Sequence, residues 1–220
     1  MRYVDRADAG RRLAPDIAEV LSRLSSPPRR PLILGVPRGG VIVGGEAARL
    51  LSADLGAVLA RKIGAPHNPE LAIGAVGESG DPILDQDLIR RFRISEEYLR
   101  GTVAAEHREL QRRMSSYRGK ERGPEIVGRV VVVVDDGIAT GATLLATLET
   151  VQDQQPGYLV CAVPVGATES VERIAVHVDA MVCPLRPRWF RAVGEWYEDF
   201  AQTTDDEVIA MLKRSGTGQA

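Results

Sequence analysis

The chain is short of cysteine, of aromatic rings and of long apolar runs, and each shortage closes off a class of protein. Its 220 residues hold two cysteines, Cys161 and Cys183. Neither has a Cys or His neighbour at metal-ligand spacing, which argues against a zinc site. Both lie in apolar, strand-like runs, so they read as buried free thiols suited to a reducing cytoplasm. No apolar run approaches the ~20 residues that cross a bilayer, and the amino terminus lacks the apolar core of a secretion signal. An excess of one charge is also missing. The 28 Lys and Arg against 30 Asp and Glu leave a net charge of −2, so no bulk attraction to nucleic acid or membrane is expected. A Gly-x-Gly-x-x-Gly turn after the first strand-like run is absent, which counts against a generic dinucleotide binder.

What is present centres on residues 129–143, Arg-Val-Val-Val-Val-Val-Asp-Asp-Gly-Ile-Ala-Thr-Gly-Ala-Thr. Val130 to Val134 is a β-branched run with no polar alternation, as in a parallel strand covered on both faces. Asp135 and Asp136 then fall at its carboxyl end, where open α/β sheets place ligands. Gly137, Thr140, Gly141 and Thr143 follow and lead into a helical pattern from Ala142 to Val151. Small residues let backbone approach a ligand, and amides at a helix start are donors without intrahelical partners. Carboxylates for hydroxyls and amides for a phosphate therefore lie within one turn of chain, a combination that a sugar phosphate satisfies.

This stretch resembles the phosphoribosyl pyrophosphate signature of the type I phosphoribosyltransferases, in which apolar residues, two acids and a Thr-Gly-x-Thr turn follow one another. The resemblance implies that Asp135 and Asp136 hold the ribose 2- and 3-hydroxyls. It further implies that Gly137, Ile138, Ala139, Thr140, Gly141 and Thr143 wrap the 5-phosphate.

The rest of the chain reads as alternating strands and helices. Leu13, Ile17, Val20, Leu21 and Leu24 recur at helical spacing, with Pro15 expected to kink the helix or mark a break near its start. Ser25-Ser26-Pro27-Pro28 is expected to end it. Leu32 to Val36 reads as the first buried strand, delivering Pro37-Arg38-Gly39-Gly40 into a helix from Val41 to Leu51. That is a second strand, glycine turn and helix start carrying a cation. Beside the acidic motif it resembles the family's pyrophosphate loop, which implicates Arg38, Gly39 and Gly40. A third apolar run, Gly56 to Ala60, is expected to be a strand with Arg61 and Lys62 at its carboxyl end, facing the same crevice. By resemblance Lys62 binds pyrophosphate and joins Asp135 and Asp136 at the reacting centre.

Gly64 to Glu70 reads as a proline-broken loop, followed by a hairpin of Ile73 to Glu78 with Pro82 to Leu84. This is where the family carries a mobile flap; His67 in it is read as solvated. Ser95 to Tyr117 forms a long charged helix, linked by Gly119 to Gly128 to the central strand and available for dimer contact or for covering the site. Tyr158 to Val163 and Asp179 to Cys183 read as further buried strands around a helix from Glu169 to Val176. The segment 187–200 gathers both tryptophans in a chain only 5% aromatic; flat rings stack on a heterocycle whatever its identity. It resembles the hood of the 6-oxopurine transferases. That likeness implies stacking by Trp189 or Phe190 and a magnesium contact at Asp199. Asp205 to Leu212 reads as a closing helix.

The expected fold is α/β: three layers, a mostly parallel central sheet with helices on both faces. One domain is expected over 1–220, with a flap and helical insert at about 64–128 and a hood at about 185–204. The resemblance implies a magnesium-dependent transferase moving 5-phosphoribosyl from phosphoribosyl pyrophosphate to a nitrogen base. It is expected in the cytoplasm, free of nucleic acid and membrane, with a homodimer left open. The alternative is a non-catalytic sensor of the same donor that acts through a protein partner. One departure bears on the base. The 6-oxopurine branch carries an Asp just before Thr-Gly, and here Ala139 takes that place, as in the adenine, uracil and orotate branches. Because Asp135, Asp136 and Thr140 set the loop's register, the loop outweighs the hood, and poor activity on hypoxanthine and guanine is expected.

Overall fold

The computed structural model describes residues 2–24, 30–78, 80–118 and 123–214. Asp5 caps the first helix, α1 (Arg6–Ser22), its Oδ1 accepting from the Asp8 amide at 2.6 Å. Pro15 sits inside this helix rather than breaking it. The carbonyl that loses its partner belongs to Arg11, an exposed residue, so solvent can satisfy it. The Ser25 to Pro28 stretch expected to end α1 lies outside the described residues. Then come β1 (Leu32–Gly35), α2 (Gly39–Leu51) and β2 (Asp54–Ala57). A second group follows: β3 (Arg61–Ala65), β4 (Asn68–Val76), β5 (Pro82–Leu84), α3 (Gln86–Phe92) and α4 (Glu96–Arg118). The chain returns through β6 (Val130–Val134), α5 (Ala142–Gln152), β7 (Tyr158–Ala162), α6 (Thr168–Ala175) and β8 (Ala180–Val182). A single 3-10 turn (Val193–Trp196) and α7 (Asp205–Arg214) complete it.

The central sheet is parallel throughout, in the order β2-β1-β6-β7-β8. Its pleat explains the run of valines. Val132 and Val134 join Ile33, Val160 and the apolar sides of α1 and α2 on one face. Val131 and Val133 join Leu32, Leu34, Leu159, Leu144 and Ile174 on the other, under α5 and α6. Alternate residues thus meet two different cores, and neither face tolerates a polar side chain. The expected three-layer α/β fold is present. After β1 the chain runs through α2 to β2, and after β6 through α5 to β7, so the connections diverge between β1 and β6. Ligands of open parallel sheets bind at such a divergence, outside the carboxyl ends of the strands.

The stretch between β2 and β6 corrects two expectations. The run Gly56 to Ala60 is not one strand ending at Arg61 and Lys62. β2 stops at Ala57, and Arg61 opens β3 in a separate antiparallel sheet, β3-β4-β5. Val58, Leu59 and Ala60 are buried in three different clusters, so the run is apolar because it crosses between cores. Nor is Gly64 to Glu70 an open loop. Pro66 and His67, the latter at φ +62°, make a tight turn, and β4 already begins at Asn68. Proline presets the dihedral at the start of such a turn. The short helix α3 had no counterpart in the sequence reading. Asp85 caps it with Oδ1 to the amides of Asp87 and Leu88.

α1 and α2 pack almost backbone to backbone. A Cβ on Gly10 would lie 2.3 Å from the carbonyl oxygen of Val43. Gly10→Ala is therefore expected to force the helices apart and cost ~1–3 kcal/mol. Gly101, within α4, has nothing within 4 Å of such an atom, so Gly101→Ala should gain roughly 0.5–1 kcal/mol. Thermal unfolding of both variants checks this, and shifts of the same sign would contradict it.

Candidate functional site

The turn after β1 lies directly on the end of β6. The Val36 amide donates to the Val134 carbonyl at 2.8 Å. A Cβ on Gly40 would stand 2.4 Å from that same carbonyl oxygen and 2.8 Å from Asp135 Cα; one on Gly39 would stand 2.0 Å from Asp136 Oδ2. Only glycine lets this turn close on the acids. The Pro37–Arg38 peptide within it is cis. α2 and α5 both begin here, and neither has a side-chain cap, so no capping side chain occupies their leading amides, though the Val41 amide donates to the Arg38 carbonyl at 3.2 Å. Gly141 takes the left-handed conformation, φ +70°, that turns the chain into α5.

The second turn is anchored from below. Ile138 donates its amide to Val165 O and accepts from the Ala167 amide, each at 2.9 Å. Arg173 of α6 donates to the Thr140 carbonyl. The Ile138 side chain is 1% exposed and belongs to the core, so of this residue only backbone can line the site. Ala139, Thr140 and Thr143 are exposed.

Asp135 and Asp136 share a part-buried crevice. Burial, then the neighbouring Asp136 charge, push the Asp135 carboxyl well above the usual carboxylate range. Its Oδ1 accepts from the Asp136 amide at 2.8 Å. Burial raises Asp136 too, against the pull of Arg6. That arginine, from the first turn of α1, donates through Nε to Asp136 Oδ2 at 2.9 Å and through NH1 to the Ala201 carbonyl at 2.7 Å. Its guanidinium lies 3.9 Å from the centroid of Phe200. Tyr197 donates its hydroxyl to the Asp136 carbonyl at 2.6 Å, and burial pushes that phenol upward.

The aromatic segment is thereby tied to both the turn and the amino terminus. Tyr3 exchanges backbone bonds with Trp196 and Glu198, each 2.8 Å, and its hydroxyl donates to Pro164 O at 2.9 Å. Val193 packs where a Cβ on Gly137 would fall, 2.6 Å away. Phe190 packs against the core, whereas Trp189 is 89% exposed. Asp199 is exposed, its Oδ1 accepting from the Ala201 amide at 2.9 Å.

The structure thus brings Gly39 and Gly40, with Arg38 beside them, to Asp135, Asp136 and the 137–143 turn. Lys62 is part-buried on β3, opposite Ala75, and its neighbour Arg61 pairs with Glu106 at 2.6 Å. Among the described residues no group of three His, Cys, Asp or Glu could cage a metal ion. Arg6, Tyr3 and Tyr197 were missed by sequence reasoning. Arg6 is 130 positions from Asp136, and no local spacing reports such a pairing.

The family model of the phosphoribosyl transferase domain matches residues 5–200. Two Mycobacterium tuberculosis proteins, from strains CDC 1551 / Oshkosh and ATCC 25618 / H37Rv, each named provisionally as a phosphoribosyl transferase, are 42% identical over 214 residues. The match takes in 97% of this chain and 47% of theirs, so the chain spans about half the length of the curated relatives it matches. A crystal structure of TT1426 from Thermus thermophilus is 42% identical, with a TM-score of 0.88 over 97% of this chain and 99% of that one.

The two acids should respond unequally to neutralisation in the ligand-free protein. A raised carboxyl favours its neutral form on folding, so its contribution is favourable below the ordinary range near pH ~4 and is lost as pH rises through the raised value. Asp135→Asn should therefore raise the melting midpoint at about pH 8, by ~2–4 °C per kcal/mol relieved, and less as pH falls toward ~4. Asp136 is raised as well but faces Arg6, so Asp136→Asn both relieves burial and strands a cation, and should gain less than Asp135→Asn. Melting curves at both pH values test this, and a gain for Asp136→Asn at about pH 8 as large as that for Asp135→Asn would contradict it.

Proposed function

The chain belongs to the phosphoribosyl transferase domain family, and on that premise we propose that it transfers 5-phosphoribosyl from phosphoribosyl pyrophosphate to a nitrogen base. The observation that carries this reading is the meeting of two uncapped helix starts with Asp135 and Asp136 between them, at the divergence of β1 and β6. The amides leading into α5, from Gly141 to Thr143, take the 5-phosphate, with the Thr140 and Thr143 hydroxyls exposed beside them. Asp135 and Asp136 accept from the ribose hydroxyls. Arg38 and the Gly39 and Gly40 amides take the pyrophosphate, with Lys62 as a further cation.

In the transfer the bond from the anomeric carbon to pyrophosphate breaks, its electron pair leaving with the phosphate oxygen. A carbon–nitrogen bond forms from a nitrogen lone pair of the base, and the base's N–H proton is released to solvent or to the leaving pyrophosphate. Positive charge grows on the ribose ring while negative charge grows on the leaving group. The chain's part is to align the partners and stabilise those charges, without a covalent nucleophile. Magnesium fits a site that has carboxylates but, among the described residues, no three-ligand cage, because it keeps waters and binds through substrate phosphates plus one or two carboxylates. Asp199, beside Arg6 at the rim, would be one such ligand, and the ion would supply charge neutralisation on the pyrophosphate. Of the two candidate platforms for the base, exposed Trp189 is free to stack, whereas Phe190 is engaged with the core.

Two measurements test the reading. Calorimetric titration with phosphoribosyl pyrophosphate and magnesium should show Asp135→Asn and Asp136→Asn each binding about 10- to 150-fold more weakly, the loss of a charge-assisted bond worth ~1.5–3 kcal/mol. Unchanged affinity in both would end the donor assignment. A panel of bases, followed by pyrophosphate release, should then identify the acceptor. By the loop resemblance Ala139 stands where the 6-oxopurine branch carries an Asp, and a methyl group cannot act as the acceptor that must lie within ~2.6–3.2 Å of the base's proton. Guanine and hypoxanthine are therefore expected to stay well below a kcat/KM of ~10⁴ M⁻¹s⁻¹, and a value above that on either would overturn the specificity argument.

A further inference from the structure

Arg6 is the unexpected member of this site. It comes from the amino-terminal helix, yet its guanidinium fills the gap between the two turns. Nε is 2.9 Å from Asp136 Oδ2 and 2.6 Å from where a Cβ on Gly39 would stand. The side chain is 12% exposed, and its charge acts on both Asp135 and Asp136. Its other hydrogen-bond and ring partners, the Ala201 carbonyl and the Phe200 ring, are uncharged, and beyond Asp135 and Asp136 its charge also reaches Glu207. A cavity of about 420 Å³ borders it, lined also by Asp5, Ile42, Asp199, Glu207 and Arg214, so the guanidinium is not packed on that side.

We propose that Arg6 is a donor-binding residue that changes partner: it holds Asp136 in the free protein and the pyrophosphate of the donor in the complex. The inference rests on the donor reading above. Ribose hydroxyls and Arg6 compete for one carboxylate, and a guanidinium displaced from Asp136 lies beside the Gly39 turn where a pyrophosphate brings new acceptors. Arginine suits both roles, since its planar fork pairs with carboxylate and phosphate alike. Arg6 would then be the cation that screens the two acids before the donor arrives and the departing charge afterwards.

Calorimetry with three probes separates this from a structural role: phosphoribosyl pyrophosphate, inorganic pyrophosphate and ribose 5-phosphate, each with magnesium. Arg6→Gln should weaken the first two by about 10- to 100-fold and leave ribose 5-phosphate as tight as before or tighter, because Asp136 is freed. Arg6→Lys should recover part of the pyrophosphate affinity as a point charge without the fork. Equal losses on all three probes in Arg6→Gln would make Arg6 a packing residue and overturn the proposal, as would unchanged pyrophosphate affinity. Wild-type protein that binds none of the three would instead remove the donor reading itself.

Discussion

The crevice depends on how closely the turn after β1 can approach the carboxyl end of β6. Val36 bonds the last carbonyl of that strand, and Gly39 and Gly40 lie so near that a single methyl would collide with Asp136 Oδ2 or with the Val134 carbonyl. This approach puts the leading amides of α2 opposite the leading amides of α5, with two carboxylates between them. The layered fold serves that contact. β6 is gripped on both faces by apolar cores, so its end is a rigid platform for the acids.

That platform is held in a state poor in counter-charge. Burial makes ionised Asp135 costly, and Asp136 is kept in company by a cation from the far end of the chain. Sites built for ligands commonly accept such local cost, because a ligand supplies the missing partners. The same cation ties α1, the aromatic segment and the turn after β6 together through Asp136, Phe200 and Ala201.

Some expectations failed for reasons visible in the packing. Arg61 and Lys62 were read as the end of a central strand because an apolar run looks the same whether it pairs in a sheet or crosses between two cores. Val58, Leu59 and Ala60 do the latter. Ile138 was read as part of the phosphate turn; its side chain is buried in the core under α6, so only its backbone is available to line that turn. Pro15 was read as a kink or a break; the break does not occur, because an exposed carbonyl absorbs the lost bond.

The sequence by itself determined the layered α/β fold, the acids at the end of a doubly buried strand, and the glycine turns that open two helices. Each is a local statement: five β-branched residues, two carboxylates, small residues at a helix start. Tertiary structure alone decided that the two turns face each other. It also decided that the amino-terminal Tyr3 pairs with the aromatic segment, that Trp189 rather than Phe190 stands free, and that Arg6 sits on Asp136. Those outcomes depend on contacts between residues as much as 195 positions apart, as in the Arg6 bond to Ala201. Periodicity reports what one element buries, and only the packed chain sets which elements meet.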